Sequence, residues 1–211
     1  MELESSLRER LIDVGVDIVM TDGTALLGLR EIARRAGVSH GAPRRYFPTH
    51  HALLSAIARR GFADLGSRFA AATDEDASPR DRLRALARTY LGYAWEHGGM
   101  FELMFRHDLL NSEAQPSDLP PLRESTLPLF AHIVELVTRH TEERTAAGPA
   151  VPPAVAAAAL WTNLHGAAQL RTWGSLQLVL DATSQGAPDG GDPFDLLLDA
   201  VLDAHLGPVA R

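Results

Sequence analysis

Apolar residues recur at helical spacing along this chain, and no alternating strand pattern persists. That regularity excludes most folds. It is plainest at Leu83, Leu86, Ala87, Tyr90, Leu91 and Ala94, which stand at i, i+3, i+4, i+7, i+8 and i+11 and so line one helix face. Leu7, Leu11, Val14 and Ile18 make a similar stripe near the start. Hairpin signals between β-branched runs are missing. The expected fold is all-α.

Punctuation divides the chain into about nine helices. Gly37 should end a short helix over 29–36, because glycine adopts a left-handed C′ conformation at least cost. Ser39 is the expected N-cap of the next helix, which runs to Phe47 with Pro43 near its first turn. Pro48 stops it, and Thr49 caps a longer one carrying Leu53, Leu54, Ile57 and Ala58. Ser78-Pro79 and Asp192-Pro193 are cap-plus-proline starts, and Gly207-Pro208 is a stop. "HGGMFELMF" should break one helix and begin a short apolar one. Long helices are expected over 122–145, begun or kinked at Pro128, and over 153–180. "NSEAQPSDLPP", "AAGPAVPP" and "DATSQGAPDGGD" read as loops or breaks.

Charge is divided as sharply as the helices. The 211-residue chain carries a formal charge of −7, which by itself argues against nucleic acid. Yet residues 28–61 hold seven arginines and one acid, Glu31, for a net +6, while the remainder holds 13 arginines and 26 acids. A local basic patch is what phosphate binding needs. The absence of cysteine excludes disulfides, cysteine-bound zinc and thiol catalysis. The first residues lack a long apolar core, and no apolar run approaches the roughly 20 residues that cross a bilayer. A cytoplasmic location is the expectation.

Within the basic window lies "LREIARRAGVSHGAPRRYF", two short helices joined through Gly37-Val38-Ser39, the pattern of a helix-turn-helix. Ala33 is small where the helices cross, and Val38 can pin the turn to the core. The second helix could then present its N-terminal part to a major groove. Over residues 7–62, "IA", "AGVS", "YF", a following proline and "ALL" fall in an order that closely resembles the DNA-binding region of TetR-family transcriptional regulators. Further on, "LWTNLHGAAQL" supplies Trp161, His165 and Gly166, which resemble the signature of that family's Trp-His-Gly ligand-domain subfamily.

The resemblance implies a homodimeric, ligand-responsive regulator, usually a repressor, with a DNA-binding domain over 1–50 and a ligand-binding and dimerisation domain over 51–211. By position it carries DNA contact to Ser39, His40, Gly41, Arg44, Arg45 and Tyr46, on or beside the recognition helix. Thr49 and His50 fall at the start of the next helix. The sequence departs from the family in His50, where lysine is frequent, in Arg44, where an aromatic residue is usual, and in Gly28, where Ser or Thr usually caps. Arg30 is a further phosphate candidate. Arg44 could read guanine bidentately or hold phosphate, and both readings stand.

Tyr90, Met100, Met104, Phe105, Trp161 and His165 are candidate effector-binding residues, since methionine and aromatic faces suit a mostly apolar ligand. Each could equally be ordinary core. A dimer face is expected from Ala157, Trp161, Leu164 and Ala168 together with Phe194, Leu197, Leu198 and Val201. No HExxH, di-iron Glu-x-x-His pair, GxSxG elbow or glycine-rich phosphate loop occurs, so no enzyme, cofactor or metal is expected. The expected partners are an operator read as a pseudo-palindrome, with half-sites about 34 Å apart or a multiple, an apolar effector and a second copy. The alternatives are a helical binding protein or enzyme without DNA binding, and a regulator whose large domain only dimerises.

Overall fold

The computed structural model describes residues 2–110, 121–144, 151–184 and 192–208. Eleven α-helices occur among them and no strand. The chain divides into two compact units, Met1–Gly66 with His97–Leu127, and Ser67–Glu96 with Pro128–Arg211. The expected loop centres at 111–120, 145–150 and 185–191 lie outside the described residues.

The first unit contains α1 (Glu2–Thr21), α2 (Leu29–Arg35), α3 (Pro43–Tyr46) and α4 (His50–Ala72) as far as Gly66. The second opens with the end of α4 and takes α5 (Pro79–Glu96). The chain then returns to the first unit for α6 (Gly98–Met104) and α7 (His107–Leu110). It completes the second with α8 (Leu127–Glu143), α9 (Pro153–Thr172), α10 (Ser175–Ser184) and α11 (Pro193–Leu206).

The local stop and start signals act as expected in several places. Thr49 Oγ1 accepts from Ala52 N at 3.0 Å to begin α4, Ser78 Oγ accepts from Asp81 N at 3.1 Å to begin α5, and Asp192 Oδ1 accepts from Phe194 N at 3.0 Å to begin α11. Three boundaries differ from expectation. The helix after Ser39 is shorter, because residues 40–42 form a tight turn held by Ala42 N to Ser39 O at 2.9 Å, and Pro43 then opens α3. The expected 153–180 helix is two helices, broken at Gly174 with φ +75. Residues 107–110, with no long apolar period of their own, form the extra α7. Ahead of α8, Leu122–Ser125 is a 3-10 turn, and Pro128 sits in the first turn, where its missing N–H costs no bond.

Close backbone approach organises the first unit. A Cβ on Gly99 of α6 would lie 2.6 Å from the Val19 carbonyl oxygen of α1, and one on Gly61 of α4 would lie 2.6 Å from Met104 Sδ and 2.8 Å from Met100 Cγ. Gly15 of α1 likewise leaves no space for a methyl beneath Ile57 of α4. These glycines let α1, α4 and α6 pack directly on one another around the buried Leu11, Ile18, Leu53 and Ile57.

In the second unit, α5 buries the face read from its periodicity, and Tyr93 with it. Ala157, Leu160, Leu164 and Ala168 of α9 and Phe194, Leu198, Leu202 and Leu206 of α11 are also buried. Full burial of one such leucine stabilises by about 1.5–3 kcal/mol. The α5–α11 contact carries three ion pairs. Arg80, Arg84 and Arg88, spaced by four, meet Asp203, Asp199 and Asp195, spaced by four in the opposite order. The C-terminal end of α11 is held by side-chain donors. His140 bonds the Leu206 carbonyl at 3.1 Å, Arg80 donates to that of Gly207 at 2.7 Å, and Arg144 donates to that of Pro208 at 2.9 Å. Helix-terminal carbonyls favour such donors.

Candidate functional site

The helix-turn-helix is built by backbone geometry. Gly37 has φ +67, Val38 N donates to Ala33 O at 3.0 Å and Gly37 N to Arg34 O at 3.2 Å. That pair of bonds ends α2 in a Schellman motif, which reverses the chain within three residues. Ile32 and Ala33 are fully buried, and Pro43 and Phe47 hold α3 to the same core. With its inner side so anchored, the motif turns Arg30, Ser39, His40, Gly41, Arg44 and Arg45 to solvent, while Tyr46 is half-buried.

Charge in this motif is not spent evenly. Glu31 accepts from Arg34 Nε at 2.8 Å and Nη2 at 2.6 Å, and from Arg35 Nε at 2.7 Å. Arg35 also reaches Asp22 at 2.7 Å. The hydrogen bonds from Arg34 and Arg35 lower the Glu31 carboxyl to about 2, so it stays ionised across ordinary pH. Arg30, Arg44 and Arg45 pair with no acid among the described residues. Three guanidinium groups are thus left for an external anion, and all three lie on or beside α2 and α3.

Thr49 and His50 are turned to local work. Thr49 caps α4, and His50 Nε2 lies 2.8 Å from the Leu27 carbonyl in the segment before α2. His51 makes a similar 2.8 Å bond to the Asp108 carbonyl of α7. The start of α4 is therefore tied on both sides.

The effector candidates fall into two groups. Met100, Met104 and Phe105 belong to the first unit, where both methionines are buried over Gly61 and Phe105 meets the Phe62 ring edge-on at 5.5 Å. Tyr90, Trp161 and His165 come together in the second unit. Tyr90 Oη is 2.8 Å from His165 Nδ1, and the Trp161 and His165 rings lie 5.5 Å apart. Burial pushes the Tyr90 hydroxyl well above its ordinary range, opposed by a hydrogen bond with Trp161. Burial also lowers His165, which favours neutral imidazole. Gln169, which sequence reasoning did not single out, sits 3.5 Å from His165 Nε2. Its i+4 spacing from His165 was the available signal.

Of the proposed dimer residues, Ala157, Leu164, Ala168, Phe194 and Leu198 are already buried within a single chain. Trp161, Leu197 and Val201 keep surface of their own, as does Leu196, which is 56% exposed. No group of three His, Asp or Glu residues able to hold a metal ion occurs among the described residues.

Residues 83–201 match the family described as "Tetracyclin repressor-like, C-terminal domain". The chain belongs to the TetR family, a family of transcriptional regulators rather than enzymes. It is 35% identical over 86 residues to the HTH-type transcriptional regulator BetI of Rhizobium meliloti (strain 1021), a match covering 41% of this chain and 42% of that protein. The chain thus spans less than half the length of that curated relative. A protein of unknown function from Rhodococcus sp. RHA1 shares the fold with a TM-score of 0.71 and 29% identity, covering 95% of this chain and 93% of that one. AibR, solved in complex with isovaleryl coenzyme A and operator DNA, shares it with a TM-score of 0.63 at 14% identity, over 96% of this chain and 100% of that one. No described helix is long and apolar enough to cross a membrane.

Proposed function

We propose that this protein is a homodimeric, cytoplasmic transcriptional repressor, released from a pseudo-palindromic operator by a small, mostly apolar molecule. The observation that carries the reading is the set of uncommitted arginines. Arg30, Arg44 and Arg45 surround a buried-core helix-turn-helix while Glu31 neutralises Arg34 and Arg35. Residues 1–50 are the DNA-binding part in this reading, and 51–211 bind effector and dimerise. Ser39, His40, Gly41 and Tyr46 flank the arginines at the groove, and Thr49 and His50 set the angle of α4 beside them. AibR, which carries both an acyl-CoA and operator DNA on the same fold, supports pairing the two ligand classes.

The effector reading rests on Tyr90, Trp161 and His165, which α5 and α9 bring together in the second unit. Met100, Met104 and Phe105 are separate candidates, packed with α4 inside the first unit. For the dimer, α9 and α11 supply the face. Trp161, Leu197 and Val201 reach the second copy, with Ala157, Leu164, Ala168, Phe194 and Leu198 as the floor beneath them. An effector acts only through different affinity for the DNA-competent and DNA-incompetent states.

The test is selection of bound fragments from a random DNA pool, followed by titration at two salt concentrations. An inverted repeat is the expected product, with affinity falling as salt rises through counterion release. Arg45→Ala should weaken all sequences alike if it holds phosphate, and Arg44→Ala should relax base preference if it reads guanine. Recovery of no repeat, or binding indifferent to salt, would overturn the reading.

A further inference from the structure

The buried stripe of α9 runs through Ala157, Leu160, Leu164 and Ala168, and its spacing continues to Arg171. A guanidinium thus stands where a further apolar side chain would extend the stripe, and stacking accommodates it. The Arg171 guanidinium carbon lies 3.3 Å from the centre of the Trp95 ring of α5 and 5.8 Å from that of Phe194 of α11. Trp95 and Phe194 meet edge-on at 4.3 Å. All three residues belong to the second unit. Charge sets Arg171 apart from its neighbours. Along α5, Arg80, Arg84 and Arg88 each meet an aspartate of α11. The acids beside the two rings are committed as well: Glu96 to Arg68 at 3.0 Å, Asp195 to Arg88, and Asp192 to the Phe194 N–H at 3.0 Å. Arg171 pairs with no acid among the described residues. Trp95 supplies a second donor, since its indole nitrogen is buried without a hydrogen-bond partner among those residues.

We propose that Arg171 and Trp95 form a binding site for a carboxylate group carried on an apolar body. The proposal rests on the effector reading above and names the head group of that mostly apolar molecule. Stacking on Trp95 occupies a face of the guanidinium and leaves its N–H edge, a planar fork that matches the two oxygens of a carboxylate. The charge is permanent, and a half-buried cation without a counter-charge is stabilised by one that arrives. The aromatic surface beside it suits the apolar part of the same molecule. Arg171 itself keeps contact with solvent and lies on the α9 stripe that packs on α5 and α11, not among the side chains given above to the second copy. Phe194 needs no exposure, because it backs the Trp95 ring from within the chain.

Calorimetric titration of the full chain with octanoate and with octanol, matched in apolar length, isolates the head group. The wild type should bind octanoate more tightly by about tenfold or more, as a charge-assisted bidentate contact implies. Arg171→Gln should abolish that preference and leave octanol unchanged. Trp95→Phe keeps an aromatic ring beneath the guanidinium and loses the N–H, so it should weaken octanoate alone, by a smaller factor. If Arg171→Gln does not fold, Arg171→Lys takes its place. It keeps the charge without the planar fork and should retain a preference smaller than that of the wild type. Octanoate bound no better than octanol by the wild type, or a preference untouched by the Arg171 variant, overturns the site. The effector reading is tested apart, by affinity for the selected DNA fragment with and without octanoate. Octanoate held through Arg171 while DNA affinity stays unchanged supports the site and removes its regulatory role.

Discussion

Where α6 meets α1, Gly99 brings bare backbone against the Val19 carbonyl; where α5 meets α11, three arginines face three aspartates across the helix pair. The first contact has no spare volume and no charge. The second is mostly side-chain tips in solvent, with Arg84 and Asp199 at 37% and 48% exposure. The two contacts should fail differently. A steric contact is lost to a single methyl and is indifferent to salt. An exposed ladder yields gradually, to salt or acid, and no rung is decisive. The unit that carries the helix-turn-helix adds such close backbone contact to its polar ties, as between Arg60 of α4 and Glu9 of α1.

The largest effect should come from Gly99→Ala. The added methyl meets backbone, which cannot rotate away, so overpacking should cost about 1–3 kcal/mol despite alanine's better helix propensity. Gly92 is the control. It lies inside α5 with nothing within 4 Å of a would-be Cβ, and Gly92→Ala should stabilise by roughly 0.5–1 kcal/mol. Denaturant melts of the two variants check the comparison. Two shifts of the same sign would show that propensity, not contact, governs both sites.

Next in size is the end of α11. The Arg80 side chain is 13% exposed and donates to the Gly207 carbonyl at 2.7 Å while also pairing with Asp203. Its loss removes charge-assisted bonds worth roughly 1.5–3 kcal/mol and leaves a helix terminus less satisfied. Arg80→Ala should therefore lower thermal stability more than Arg88→Ala, whose side chain is 52% exposed. Hydrogen exchange at the last turn of α11 distinguishes local fraying from a global effect.

The exposed rungs of the ladder should respond less to single changes. Exposed pairs contribute about 0.2–1 kcal/mol each, so Asp199→Asn should barely move the melting temperature in high salt. Its pH dependence has a definite sign. The bonds from Arg84 hold the Asp199 carboxyl below its ordinary value of 3.8, so the folded state prefers the ionised form. The stabilisation is fully present above about pH 5, fades as pH falls past the ordinary carboxylate value, and is gone below the lowered folded one. Wild type and Asp199→Asn should converge in stability below that point, and a gap persisting into strong acid would remove the ladder as its cause.

These contrasts also mark what could be read without coordinates. Caps at Thr49, Ser78 and Asp192, the turn at Gly37 and the buried face of α5 are local signals, set by residues within one or two helical turns, and the structure follows them. The break at Gly174 was missed because the apolar pattern runs through it and a lone glycine only weakly opposes a helix. Arginine at 80, 84 and 88 and aspartate at 195, 199 and 203 stand plainly in the sequence. What is not local is the antiparallel register that aligns them. The approach of Tyr90 to His165, 75 residues apart, is of the same kind. Both were visible as residue types and invisible as partners.

The smallest effect on stability, and one of opposite sign on binding, is expected for Glu31→Gln. Glu31 lies on exposed surface between Arg34 and Arg35 at i+3 and i+4, and its carboxyl is held at about 2, so no change of pH between 5 and 8 releases the two arginines. Substitution does release them. Arg35 keeps Asp22 as a partner, whereas Arg34 is left without its acid. If the basic window meets phosphate, each arginine that gains a phosphate adds about 0.9 to the slope of log affinity against log salt. Glu31→Gln should then bind DNA more tightly at low salt, with a slope steeper by about one contact, while its melting curve stays close to wild type. The gain should appear on unrelated sequences as well as on the selected repeat, because phosphate contacts position without specifying. A weaker complex would mean that Glu31 orients Arg34 and Arg35 onto DNA instead of withholding them, and the line between committed and uncommitted arginines would have to be redrawn.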